Sequence, residues 1–298
     1  MPELPDIVVY IEALTARVVD HKIEDIRLLS PFILRTVTPP ISDFIGRAVL
    51  SVKRLGKRLV FEVEGAGFLV IHLMIAGRLK WLAKGKKPAG RISLAAFDFD
   101  DGTLVLTEAG TTRRASLFAV ATRDELKAFD RGGIEPLEVT EREFVDRLRK
   151  ENHTLKRTLT DPRLFSGIGN SYSDEILHRA RLSPMLLSTK LSDDQGACLH
   201  QSTVAVLNEW TAALRAETGQ NFPEKVTAFH EGMAVHGRYG LPCPDCGSPV
   251  QRIRYATNET NYCARCQTEG RLFADRGLSR LLKSDWPRSL DELELDQK

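Results

Sequence analysis

Two sets of residues in this chain have the types and spacing that chemistry needs. The first is cysteine. Cys243-Pro-Asp-Cys246 and Cys263-Ala-Arg-Cys266 are two Cys-x-x-Cys pairs with sixteen residues between them. That spacing fits two zinc knuckles, each turn bringing two thiolates to one tetrahedral ion. A closed four-thiolate site leaves no open coordination position, so the expected metal is one structural Zn2+ that supports folding. The redox reading of a Cys-x-x-Cys needs a single pair beside a βαβ unit, and no such unit is legible. Cys198 stands alone in a helical stretch and reads as a small buried hydrophobe.

The second set is the start, Met1-Pro2-Glu3-Leu4-Pro5-Asp6. One reading is a plain helix start, with proline tolerated and the acids complementing the dipole. The other is chemical. Methionine before a small residue is normally removed, which would expose the secondary α-amine of Pro2. An α-amine titrates near pH ~8, so a useful fraction is nucleophilic at neutral pH. It could form an iminium with a sugar's anomeric carbon, and Glu3 could protonate the departing or ring-opening oxygen.

These groups need elements to hold them. Ile7, Ile11, Leu14 and Val18 recur at helical spacing, predicting a helix over 5–20. From about 22 to 120 the texture is β. Leu59, Phe61 and Val63 alternate with Glu62 and Glu64, and Phe68 to Ile75 is a continuous apolar strand candidate. Ile92 to Phe99 and Thr103 to Thr107 flank the turn signal Asp100-Asp101-Gly102. Strands at this spacing suggest a sandwich or barrel. After Gly132-Gly133 and Pro136 the pattern turns helical, over 141–150, 154–160, 169–181 and 192–217. A β-ribbon carrying the cysteines follows at 235–270, and the expected class is α+β.

The chain has 298 residues, with Lys+Arg 42 against Asp+Glu 40 and a net charge of +2. At 42% hydrophobic and 28% charged it is globular, not disordered, and long enough for two domains. The near-neutral total hides an uneven distribution. Between Arg47 and Arg91 eleven basic residues face two acids, a local +9, whereas Asp291 to Lys298 carries −3. A basic run is either a solvated surface or a phosphate contact, and charge alone does not choose. The charge-free stretch Gly65 to Gly77 is too short to span a bilayer, and no basic-then-apolar leader opens the chain. Four paired cysteines suit metal ligation in a reducing compartment.

Pro2-Glu3-Leu4-Pro5, the basic strand with Lys57, the segment Ser166-Gly-Ile-Gly-Asn-Ser-Tyr-Ser-Asp-Glu175 and the cysteine ribbon occur in one order. Together they resemble the family of formamidopyrimidine-DNA glycosylase and endonuclease VIII. Leu4 tilts the resemblance toward the bacterial formamidopyrimidine branch. It implies an N-terminal helix and β-sandwich (2–132), a helix–two-turn–helix domain (136–225), a zinc ribbon (235–270) and an extension of its own (271–298). It also implies a base-excision-repair glycosylase with AP-lyase (β,δ-elimination) activity, favouring oxidised purines. Carried over, Pro2 is the Schiff-base nucleophile, Glu3 the general acid, and Lys57 neutralises phosphate beside the reacting sugar. His72, Lys156, Asn170 and Tyr172 match phosphate-contacting positions of the family. The partner would be double-stranded DNA with a damaged base or abasic site, met by a cytoplasmic, nucleoid-associated monomer with no membrane contact.

Departures from the family pattern concern lesion reading. His72-Leu-Met-Ile-Ala-Gly77 places Ile75 where a base-replacing methionine is usual, and strand alternation favours Ile75 over Met74 as the wedge. Arg113-Arg114-Ala115-Ser116 keeps an arginine for the void but has alanine in place of a wedging phenylalanine. Asn258 stands at the position of a ribbon arginine, with Arg252, Arg254 and Arg265 nearby, and Asp6 replaces a glutamate. The stretch from Thr218 to Phe229 is short for a loop that covers a purine. Oxidised pyrimidines, another lesion, or a non-catalytic damaged-DNA-binding paralogue therefore stay open. In the tail, Arg280, Leu281, Leu282 and Trp286-Pro287 read as a partly ordered appendage.

Overall fold

A computed structural model describes residues 1–110, 112–224, 226–227, 229–255, 258–274 and 287–295. The chain forms two compact units: Met1–Arg131 with Glu209–Ala228, and Gly132–Asn208 with Phe229–Lys298. The first opens with α1 (Leu4–Val18), whose Ile7, Tyr10, Leu14 and Val18 are fully buried at helical spacing. Its strands are β1 (Asp25–Leu28), β2 (Val49–Leu55), β3 (Arg58–Val63), β4 (Gly67–His72), β5 (Gly77–Ala83), β6 (Ser93–Asp98), β7 (Gly102–Glu108) and β8 (Ser116–Val120). They pair antiparallel into two four-stranded sheets, ordered β1-β6-β7-β5 and β2-β3-β4-β8. Leu59, Phe61 and Val63 enter the main core with α1, as their alternation requires. Val60 is buried as well, because Phe68, Val70, Val120 and the short α2 (Arg123–Lys127) make a second small core on the outer face.

One strand is shorter than its apolar run. Pairing of β4 ends at His72, and 73–76 form a turn in which Met74 has φ 53°. Ladder hydrogen bonds, not hydrophobicity, decide where a strand stops. The outcome matters for Ile75, which the alternation argument had placed in a strand.

The second unit contains α3 (Glu141–Arg149), α4 (Leu155–Thr160) and α5 (Asn170–Arg179). Thr140 and Glu143 close a capping box on α3, and Thr154 caps α4. The long α6 (Asp193–Thr218) starts in this unit and ends in the first. A hairpin of β9 (Gln251–Tyr255) and β10 (Asn258–Tyr262) leads into α7 (Ala264–Thr268). In the tail, Leu272, Phe273, Leu290 and Leu293 pack on Ile253, Tyr262 and Ala264, and α8 (Leu290–Leu295) supplies two of them. Arg280, Leu281, Leu282 and Trp286 lie outside the described residues. Cys198 is exposed and not buried as expected: its place on α6 faces outward. No described helix is long and apolar enough to cross a membrane.

Candidate active site and nucleic-acid interface

Pro2 and Glu3 immediately precede α1, and both are buried. Glu3 is the N-cap residue, and its backbone N–H donates to Asp6 Oδ2 at 2.8 Å. Asp6, three residues on, thus does the reciprocal capping work for which its short side chain suffices. The α-amine of Met1 has a pKa below its ordinary value of 8.0. Burial is the largest cause; Glu3 and Asp6 pull it up, and Arg78 and Lys57 push it down. The start of α1 therefore gathers one amine, two carboxylates and two cations into electrostatic reach.

Lys57 occupies the two-residue turn between β2 and β3, whose first member Gly56 has φ +61°. Positive φ at that position alone is the pattern of a II′ hairpin turn. The next residue, Arg58, pairs across the sheet with His72, which also faces Ser116 of β8. Burial, then the charges of Arg58 and Lys57, lower the His72 pKa to about 4. His72 is therefore neutral near pH 7, and it can meet an anion as an N–H donor without carrying charge.

Ile75 stands in the turn after β4 and is 56% exposed. It remains available as a wedge, but by turn geometry and not by strand alternation. Arg78 braces the turn, donating to the carbonyls of Ile75 (3.1 Å), Gly77 (2.6 Å) and Val226. Gly77 is obligatory there, because a Cβ would lie 2.2 Å from the Leu73 carbonyl oxygen. Arg113 is exposed and donates to the Arg91 carbonyl. Behind it, the buried Glu108 carboxylate accepts the N–H groups of Arg114 (2.9 Å) and Ala115 (3.0 Å). Ala115 itself belongs to the sandwich core.

Along α1 runs a cleft of about 650 Å³, lined by Asp6, Arg17, Trp81, Glu217, Phe222 and Glu224 among others. The Trp81 and Phe222 rings lie 6.4 Å apart. Arg17 donates to the Gln220 carbonyl (3.0 Å) and lies 5.7 Å from the Phe222 ring centre, tying the 218–224 loop to the helix.

In the second unit, Asn170 opens α5 and Tyr172 is buried within its first turn. Lys156 is buried too. Its Nζ donates to the Asn170 carbonyl (2.6 Å) and to Asp174 Oδ1 (2.5 Å). Asp174 also accepts from His236 Nδ1 (2.8 Å) and Asn261 Nδ2 (3.4 Å). Sequence reasoning missed Asp174, Glu175 and His236, because carboxylates on a helix usually mark its wet face. Their neighbours Tyr172, Ile176 and Leu177 gave the only signal, placing both acids on an apolar surface. On the ribbon, Asn258 is exposed at the hairpin end. Arg252 is occupied by the Tyr239 ring (4.2 Å) and Glu259, whereas Arg254 and Arg265 are exposed.

The four ribbon sulfurs lie within 4.8 Å of one another, with Cys243–Cys266 at 3.9 Å and Cys246–Cys263 at 3.4 Å. Tetrahedral Zn–S bonds of ~2.3 Å place sulfurs ~3.8 Å apart, so the donor set fits one structural Zn2+. His178 Nε2 approaches Cys243 Sγ at 3.3 Å, an outer partner of the kind that metal ligands commonly have.

Family profiles match three stretches of the chain. They are the formamidopyrimidine-DNA glycosylase N-terminal domain over 1–114, the H2TH domain of the same enzymes over 133–221, and the zinc finger found in FPG and IleRS over 240–268. The formamidopyrimidine-DNA glycosylase of Pelotomaculum thermopropionicum is 31% identical over 90% of this chain and 99% of its own. An uncharacterised formamidopyrimidine-DNA glycosylase-like protein of Mycobacterium tuberculosis is 40% identical over 51% of this chain and 94% of its own. Among solved structures, the Thermus thermophilus protein has a TM-score of 0.76 at 32% identity, over 90% of this chain and all of its own. The Lactococcus lactis protein bound to abasic-site DNA has a TM-score of 0.78 at 25% identity, over 89% of this chain and 99% of its own.

Proposed function

The chain belongs to the formamidopyrimidine-DNA glycosylase family, in its bacterial branch, and is a DNA glycosylase for damaged bases; from that premise we propose a bifunctional chemistry. The mature N-terminus is the amine of Pro2. Its nitrogen attacks C1′ of the damaged nucleotide as the glycosidic bond breaks and the base leaves with a proton. Glu3 protonates the ring oxygen, the sugar opens, and an iminium links protein and DNA. Loss of the C2′ proton then expels the 3′ phosphate, and a second elimination expels the 5′ phosphate. Lys57 screens the phosphate charge beside this sugar, and neutral His72 donates to a phosphate oxygen.

The observation that carries this reading is the buried start of α1, where Pro2 and the carboxyl group of Glu3 stand side by side. One residue earlier, burial, Arg78 and Lys57 lower the pKa of the Met1 α-amine against the opposing pull of Glu3 and Asp6, and the Pro2 amine of the mature chain would form beside the same charges. The cleft beside α1 is the proposed seat of the extruded base. Its carboxylates favour bases that present N–H donors. Oxidation of a purine at C8 turns N7 from an acceptor into such a donor, which supports oxidised purines as substrates. The duplex is held by Asn170, Tyr172 and Lys156, with Ile75 and Arg113 filling the void left by the base. Such chemistry places the protein at the chromosomal DNA.

Borohydride reduction on abasic-site duplex tests the proposal. A covalent adduct forms with the mature wild-type protein and is lost in Pro2→Gly. Absence of an adduct from a chain whose mass shows Met1 removed would overturn it.

A further inference from the structure

Helix α5 is ten residues long and has partners along its whole length. Near its C-terminal end, His178 Nε2 lies 3.3 Å from Cys243 Sγ. A metal-bound thiolate can only accept, so Nε2 is the donor. One turn earlier, the Glu175 carboxylate accepts three consecutive N–H groups, from Ala234 (2.7 Å), Val235 (3.0 Å) and His236 (2.9 Å). The Val235 side chain is fully buried in a small core that it shares with Val250 and the four zinc-site cysteines. The preceding residue, Asp174, takes the His236 ring on one oxygen and Lys156 on the other. Lys156 in turn holds the carbonyl of Asn170, the first residue of the helix. An unbroken run of contacts thus leads from the cysteines, through Val235, Glu175 and Asp174, to the start of α5.

We propose that metal occupancy at the four cysteines and phosphate binding at the start of α5 are energetically coupled, with Glu175 and Asp174 as the positioning residues that carry the coupling and His178 as a support of the zinc site alone. The proposal rests on the reading of Asn170, Tyr172 and Lys156 as phosphate contacts, and goes beyond it. Side chains of Asp174 and Lys156 are 0% and 10% exposed. A buried ion pair tolerates few arrangements, because displacing one partner strands the other charge. With the knuckles closed, Val235 and Cys243 are held, Glu175 and His236 keep their partners, and Lys156 has one position. With the knuckles open, that chain of constraints loosens from its ribbon end. Coupling of this kind is reciprocal: duplex must raise zinc affinity by the factor by which zinc raises duplex affinity.

The test uses full-length zinc-loaded protein, undamaged duplex DNA and a chromogenic chelator competing for zinc. In the wild type, saturating duplex raises zinc affinity about tenfold, and zinc removal weakens duplex binding by the same factor. In Glu175→Gln and Asp174→Asn at full zinc loading, duplex affinity falls and the coupling factor shrinks to within about twofold. His178→Phe lowers zinc affinity, and lowers duplex affinity only where zinc is limiting. A purely architectural role would lower Tm in these variants and leave the coupling factor unchanged. Should Asp174→Asn fail to fold, the double variant Lys156→Met/Asp174→Leu removes both charges together and must also lose the coupling. An undiminished factor in the carboxylate variants, or a wild-type zinc affinity indifferent to duplex, overturns the proposal. Because undamaged duplex is used, a failed borohydride adduct beside intact coupling would remove the catalytic reading alone.

Discussion

Glu3 and His72 show how burial assigns chemical roles to single groups. Glu3 is 1% exposed beside the amine that it would serve as an acid. Glu3→Gln keeps the shape and removes the proton, so base release should fall by roughly 10²–10⁴-fold, the usual worth of a positioned acid. Single-turnover release from lesion-bearing duplex measures it. Arg78 lowers the pKa of the Met1 α-amine, and its charge would act in the same direction on the Pro2 amine one residue on, so Arg78→Gln should move the midpoint of the pH profile for borohydride adduct formation upward. An unchanged midpoint would separate the arginine from the amine. For His72 the sign is the reverse of a salt-bridged histidine. Its folded pKa of about 4 lies below the 6.5 of the unfolded chain, so between those values only the unfolded chain gains a proton. Stability should fall as pH drops through that window, by at most ~3 kcal/mol, and level off below it. His72→Gln should flatten the dependence, read as urea midpoints at pH 7 and 4.5.

At the scale of elements, the turn over 73–76 and the tail carry the sharpest expectations. Gly77→Ala forces a Cβ against the Leu73 carbonyl, so it should cost ~2 kcal/mol or more and displace Ile75. Thermal unfolding reads the first effect and affinity for lesion duplex the second. Leu290 is 3% exposed on the ribbon, and Leu290→Ala should destabilise the second unit by ~2–4 kcal/mol. These same elements mark the limits of what the sequence discloses. Helix α1 was legible because Ile7, Leu14 and Val18 repeat with the helical period over three turns. The zinc site was legible because ligand spacing is itself the geometry. The end of β4 was not, since Leu73 to Ile75 are as apolar as the strand before them and only the partner strand decides where pairing stops. Asp174 and Glu175 were opaque for a related reason: their partners lie 18 to 87 residues away, and a buried carboxylate has the same letter as an exposed one. The tail lacked periodicity, yet Leu272 and Leu290 find a ready apolar face on Ile253 and Tyr262.

For the molecule as a whole, each unit has an apolar core of its own, and only the second contains the cysteines. Calorimetry should resolve two transitions, and a chelator should lower one and leave the sandwich transition in place. A single transition that shifts as a whole would show that the units unfold together. The division also has a consequence for synthesis. Phe222 belongs to the sandwich core, its ring tilted against those of Tyr10 and Trp81, although the second unit's helices separate it from β8 in the chain. On the ribosome, the sandwich can therefore be assembled early but not completed until residue 222 has emerged, about a hundred residues after its last strand. At elongation rates of ~5–20 residues per second, that is a wait of roughly 5–20 s. During it the Tyr10 and Trp81 faces lack their aromatic partner, and a nascent chain stalled between residues 132 and 208 should recruit holding chaperones that a chain stalled past 260 no longer needs.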